Sequence, residues 1–115
     1  MERTLRQAKG DRGPMPTAFV DSIWRHWNKG TANAVLSLYR QADSNRLQAA
    51  GKDLANLTCP SLIIWGARDP YLPSRFAESY ARALPQAQLD LAPAAGHWPW
   101  IDDPSLIDKV TSFLS

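Results

Sequence analysis

One short apolar run constrains this chain more than any other feature. Ser61-Leu62-Ile63-Ile64-Trp65 is bounded by Pro60 and Gly66. Such a run fits a strand buried on both faces, as in a parallel sheet covered by helices. The residues beyond it support that reading. Phe76, Ala77, Tyr80, Ala81 and Leu84 recur at helical spacing, with Ser74 placed to cap the helix and Pro85 to end it. Gln88-Leu89-Asp90-Leu91 alternates and predicts a second strand. Asp103-Pro104 supplies a cap followed by proline at the first helical position. Leu106, Ile107, Val110, Phe113 and Leu114 give the last helix its apolar stripe. The order is strand, helix, strand, helix. A crossover of this length implies two parallel neighbours. The expected fold class is therefore α/β, with two parallel C-terminal strands and flanking helices.

The first half reads differently. Residues 1–16 carry Arg3, Arg6, Lys9 and Arg12 among Gly10, Gly13, Pro14 and Pro16, which predicts a loose, solvated lead-in with a short helical turn near Leu5 to Ala8. Residues 17–57 read as helical. Phe19, Val20, Ile23, Trp24 and Trp27 form one apolar stripe, and Val35, Leu38, Tyr39 and Ala42 a second. Gly30 is expected as a stop between them and Thr31 as the next cap. A third short helix is expected over Ser44 to Ala50, closed by Gly51. The pattern changes at Thr58-Cys59-Pro60, so residues 58–115 form the third segment. No further strand and no internal repeat is visible in residues 1–57.

Composition narrows the function classes. The 115 residues carry a formal charge of +2 and are 44% hydrophobic, a globular balance. The longest apolar stretch, Leu62 to Trp65, falls far short of the ~20 residues of a membrane span. No secretory leader is visible at Met1-Glu2-Arg3-Thr4. Cys59 stands alone and cannot form an internal disulfide, so a cytoplasmic location is expected. Two histidines far apart and one cysteine make no metal-ligand set. The basic residues are scattered among acids, which argues against a nucleic-acid partner.

The residues that carry chemistry lie after the two strands. Parallel neighbours end on the same edge of a sheet, and ligand sites in open α/β sheets lie beyond that edge. The first strand runs into Gly66-Ala67-Arg68-Asp69-Pro70, and the second is followed by Ala95-Gly96-His97-Trp98-Pro99-Trp100. Asp69 and His97 are thus expected on adjacent loops. A neutral imidazole can take a proton from a nucleophile with one ring nitrogen while the other donates to a carboxylate. Pro70 restricts Asp69 to an extended backbone, and Gly96 allows a tight approach before His97. Asp102 and Asp103 read as helix-start residues near the macrodipole. His26 is given no role.

With these motifs, residues 58–115 resemble the C-terminal part of an α/β-hydrolase. The resemblance rests on Pro60 to Pro70, on Ala95-Gly96-His97-Trp98-Pro99, and on a terminal helix ending Val110-Thr111-Ser112-Phe113-Leu114. It implies that Asp69 is the triad acid and His97 the triad base. It also implies that residues 17–57 are lid helices, and that catalysis needs no metal or organic cofactor. By the same resemblance Trp98 faces the substrate pocket. Tyr71 and Leu72 either face that cavity or fill the loop, and Trp100 packs against the final helix. The Gly-His-Trp-Pro spelling is similar to the epoxide hydrolase and haloalkane dehalogenase branches, which use an aspartate nucleophile. Esterase and carbon–carbon hydrolase branches use serine. The parent substrate would be a small apolar molecule.

The chain departs from the family at the nucleophile. The common elbow is Gly-x-Ser-x-Gly, and no serine here has glycines at that spacing. Acid and base are expected without a nucleophile, as in a truncated hydrolase that is inactive alone. A non-catalytic remnant acting as an interaction module is the alternative. In either case an exposed sheet edge would favour self-association or complementation.

Overall fold

The structure, a computed structural model, describes residues 2–115. The chain forms two compact units. One holds the residues up to Met15 together with Ala55–Ser115, and the other is Pro16–Leu54.

In the first unit, β1 (Ser61–Gly66) pairs in parallel with β2 (Ala87–Ala92). The register runs from Ser61 opposite Ala87 to Gly66 opposite Ala92, so both strands end side by side. α5 (Arg75–Ala83) makes the crossover and packs on both strands. It begins after Ser74, whose side chain makes no capping hydrogen bond. α6 (Pro99–Asp102) and α7 (Ser105–Leu114) pack on β1 and on each other. α7 starts just after Pro104, and Asp103 Oδ1 accepts from both the backbone N–H and the hydroxyl of Ser105, its first residue. The Lys109 ammonium pairs with the Asp90 carboxylate and ties α7 to β2.

The strand interior departs from expectation. Leu62, Ile63, Ile64 and Trp65 are half-buried, not buried on both faces. Among the described residues the sheet has two strands, too few to cover a strand on every side. Leu62 and Ile64 line an apolar cleft of about 440 Å³ with Trp100, Leu106, Ile107 and Val110. Trp100 thus shares its surroundings with the final helix. The buried cluster beneath is small: Ala92, Ala95 and Leu106.

The N-terminal residues require a correction. The expected lead-in over residues 1–16 instead includes a helix, α1 (Glu2–Ala8), in the same compact unit as the sheet. Leu5 and Ala8, one helical turn apart, are buried, while Arg3, Arg6 and Gln7 are exposed. The expected turn near Leu5 to Ala8 is the end of this helix; its extent and its docking were not expected, because its apolar side is only two residues wide. The backbone groups that anchor its far end belong to the loop after β2.

The second unit contains α2 (Thr17–His26), α3 (Lys29–Gln41) and α4 (Ser44–Gly51). Gly30 does not stop α2. It lies in the first turn of α3, because Asn28 is the cap and its side-chain oxygen accepts from the Thr31 N–H at 3.0 Å. Asp43 caps α4 in the same way through the Arg46 N–H. None of these three helices has a buried residue, and Trp24, Trp27, Leu38, Tyr39 and Leu47 are exposed.

Candidate active site

The loops after β1 and β2 are joined by backbone hydrogen bonds. Ala67 N–H donates to the Ala92 carbonyl at 3.0 Å, and Arg68 N–H to that of Ala95 at 2.9 Å. The loops approach so closely because of glycines. A Cβ on Gly66 would lie 1.9 Å from the Gly96 carbonyl oxygen. One on Gly96 would lie 2.1 Å from that of Ala8. Any side chain at either position would force the backbones apart.

This packing brings Asp69 and His97 into contact. His97 Nδ1 lies 2.8 Å from Asp69 Oδ2. The other carboxylate oxygen, Oδ1, accepts from the backbone N–H groups of Tyr71 at 2.8 Å and Leu72 at 3.0 Å. This is the local turn an aspartate favours when its side chain bonds the backbone just ahead. The Asp69 side chain is 5% exposed. Burial pushes its carboxyl upward. The hydrogen bond from His97 and those from the two backbone amides outweigh that push and hold it below its ordinary value. An ionised carboxylate at Nδ1 places the neutral ring's proton on that nitrogen and leaves Nε2 as the basic site.

The expected pocket residues gather around this pair. Tyr71 and Trp98 both meet the His97 ring edge-on, at centroid distances of 5.3 and 5.2 Å. The Tyr71 hydroxyl donates to the Thr4 carbonyl of α1 at 3.0 Å. Leu72 contributes its backbone: its N–H holds Asp69, and its carbonyl accepts from the Trp65 indole N–H at 2.8 Å. The Leu72 side chain is exposed.

Two supports of His97 escaped the sequence reading. The His97 N–H donates to the Ala8 carbonyl at 2.7 Å. Asp102 lies in the single turn of α6, as its reading as a helix-start acid requires, but it does more than meet the helix end: its Oδ2 accepts from the N–H groups of both Gly10 and Gly96. Gly10, following the Leu5 and Ala8 pair, was the available signal for a docked helix end. Nothing near Asp102 in sequence marks its carboxylate as the acceptor for an amide 92 residues away. Arg68, left without a partner by the sequence, reaches the Gly10 carbonyl at 3.4 Å.

Among the described residues, no group of three or more His, Cys, Asp and Glu side chains could hold a metal ion. No described helix is long and apolar enough to cross a membrane. The profile of the alpha/beta hydrolase family matches residues 2–108, from α1 into α7. The chain belongs to the alpha/beta hydrolase family. Its two-stranded parallel sheet and helices form part of an α/β-hydrolase fold. An uncharacterized protein of Mycobacterium tuberculosis is 43% identical over 56 residues, 48% of this chain and 16% of that protein. A mouse protein named sn-1-specific diacylglycerol lipase ABHD11 is 39% identical over 57 residues, 49% of this chain and 19% of its own length. A Cupriavidus pinatubonensis protein named 2-hydroxy-6-oxononadienedioate/2-hydroxy-6-oxononatrienedioate hydrolase is 33% identical over 65 residues, 56% of this chain and 22% of its own. The chain thus spans less than a quarter of the length of these relatives.

Proposed function

We propose that this chain supplies the acid and base of a hydrolase active site, with His97 as general base and Asp69 as the acid that orients it. The observation that carries this reading is the 2.8 Å contact between His97 Nδ1 and a buried Asp69 carboxylate whose other oxygen is already held by two backbone amides. An imidazole fixed through Nδ1 keeps Nε2 for proton transfer. The nucleophile comes from polypeptide outside these residues. It attacks the substrate and forms a covalent intermediate as the scissile bond breaks, the leaving group departing or, for an epoxide, the ring opening to its own alkoxide. His97 Nε2 then takes a proton from water as the water attacks that intermediate. Asp69 stabilises the resulting imidazolium, which gives its proton to the oxygen expelled as the intermediate collapses, that of a serine nucleophile or that of the product alcohol leaving an aspartate. The substrate is a small, largely apolar molecule with an ester, epoxide, carbon–carbon or carbon–halogen bond. Family membership and two relatives named as a lipase and a hydrolase support hydrolysis. Trp98, Tyr71 and Leu72 wall the pocket, and residues 17–57 correspond to the lid segment of the family. The reaction uses no metal or organic cofactor, and the protein works in the cytoplasm.

A second reading is favoured by one observation. The apolar side chains of α2 to α4 and the two-stranded sheet leave surface that a partner could cover. On this reading the chain is an interaction module, engaged through a sheet edge by another polypeptide or a second copy.

Turnover separates the two. The purified chain is expected to hydrolyse neither p-nitrophenyl acetate nor styrene oxide. The same chain expressed with the reading frame upstream of Met1 is expected to turn over one of them, with a loss of at least about 10³-fold in His97→Ala. Robust His97-dependent turnover by the 115 residues alone would overturn the externally supplied nucleophile. Turnover indifferent to His97→Ala would overturn its role as base.

A further inference from the structure

The Asp102 carboxylate is an unusual expense for a surface motif. Its side chain is only 8% exposed. A buried carboxylate is costly unless hydrogen bonds replace its water. Here the replacements are specific. Oδ2 accepts from the Gly96 N–H at 2.8 Å and from the Gly10 N–H at 2.9 Å. The Lys9 ammonium, itself mostly covered, stands 4.0 Å from Oδ1 and supplies opposite charge.

The two amides come from backbones that meet at the candidate base. Gly96 directly precedes His97, and Gly10 lies two residues beyond Ala8, whose carbonyl accepts the His97 N–H. One carboxylate oxygen therefore fastens the exit of α1 to the residue before His97. The His97 amide, in the next peptide unit, makes a second fastening to the Ala8 carbonyl. Glycine at both positions is what admits this closeness. A Cβ on Gly10 would sit 1.8 Å from the Ala94 carbonyl oxygen, and one on Gly96 would sit 2.7 Å from the Gly10 nitrogen.

We propose that Asp102 is a positioning residue for His97, locking Gly96 to the exit of α1 so that the imidazole stays against Asp69. The proposal rests on the acid–base reading of that pair, but its mechanism is separate. Asp69 fixes the ring through Nδ1, whereas Asp102 fixes the backbone that carries the ring. Asp102 touches neither the ring nor any reacting atom. A carboxylate suits the task because one oxygen can accept from two amides, and charge strengthens both bonds.

The test is nuclear magnetic resonance on the full chain, which requires no turnover. Three signals are read: the His97 Nδ1 proton, the exchange rates of the Gly10, Gly96 and His97 amides, and those of Ile63 and Leu89 in the strands as a fold control. In Asp102→Ala the three loop amides are expected to exchange at least about tenfold faster, and the Nδ1 proton to broaden away, while the strand amides hold. Asp102→Asn keeps an acceptor oxygen without the charge, so intermediate exchange and a retained Nδ1 signal are expected. Wild-type behaviour of all three amides and the Nδ1 proton in Asp102→Ala would overturn the proposal. If Asp102→Ala loses strand protection, Asp102→Asn decides. Faster loop exchange over intact strands supports the positioning role, and wild-type rates overturn it. Asp69→Asn separates this proposal from its foundation. A His97 Nδ1 signal that depends on Asp69 but ignores both Asp102 variants defeats the positioning role alone. A His97 signal indifferent to Asp69 defeats the acid–base pair itself.

Discussion

Gly96→Ala is the sharpest perturbation the site offers. The added Cβ would lie 2.1 Å from the Ala8 carbonyl oxygen and 2.7 Å from the Gly10 nitrogen. Carbon–oxygen contacts settle near about 3.3 Å, so the His97 loop must withdraw from the exit of α1 by about 1 Å. Backbone stands on both sides of the clash, and no flexible side chain can yield. The withdrawal breaks the His97 N–H bond to Ala8 and stretches the two bonds held by Asp102. A hydrogen bond to a charged group contributes about 1.5–3 kcal/mol and a neutral one about 0.5–1.5 kcal/mol. These three share one piece of backbone and do not add independently. A loss of about 3–5 kcal/mol is expected, against a total of about 5–15 kcal/mol for a small domain. Urea unfolding followed by circular dichroism measures it. Gly51→Ala serves as the control, because its Cβ would meet only Leu54 Cδ1 at 3.8 Å at the end of α4. That change should be neutral or stabilising by up to about 1 kcal/mol. If Gly96→Ala fell within about 1 kcal/mol of wild type, the interlocked loops would not carry the stability assigned to them.

Two further outcomes are expected from the same contacts. Asp69 is held below its ordinary carboxyl value in the folded state, so it stabilises the fold above that value and loses the contribution as pH falls through the lowered one. The gap in urea midpoint between wild type and Asp69→Asn should therefore be open at about pH 6 and close on acidification below about pH 4; a gap independent of pH would refute the charge assignment. Tyr71→Phe removes the hydroxyl bond to the Thr4 carbonyl but keeps the ring edge against His97. It should cost about 0.5–1.5 kcal/mol in urea unfolding and leave the His97 Nδ1 resonance in place; loss of that resonance would show that Tyr71 also orients the base.

Much of this arrangement was legible in the sequence because its signals are local. The run Leu62 to Trp65 between Pro60 and Gly66 predicts β1, and alternation at Gln88 to Leu91 predicts β2. The crossover then dictates a parallel pair, which brings Asp69 and His97 to one edge. What stayed hidden depends on contacts between distant residues. The role of α1 hinges on Leu5 and Ala8 finding cover and on the Ala8 carbonyl meeting the His97 amide, and basic neighbours obscured both. Asp102 is a first-turn acid of α6, as its neighbours suggest, but nothing local marks it as an acceptor for a distant amide. Its partner amide at Gly10 belongs to the opposite end of the chain. The half-buried strand has a related reason: apolar composition reports what a strand can bury, while the elements packed on its two faces set what it does bury.

The central claim is that Asp69 and His97 act as one unit in hydrolysis. It is tested most directly by a double-mutant cycle on turnover of an activated substrate, in the polypeptide that includes the upstream reading frame. Residues acting as a unit are strongly non-additive. Asp69→Asn alone is expected to reduce kcat by about 10³–10⁴-fold, and the double variant Asp69→Asn/His97→Ala to be no slower than His97→Ala alone. Losses that multiply across the two positions would contradict the claim.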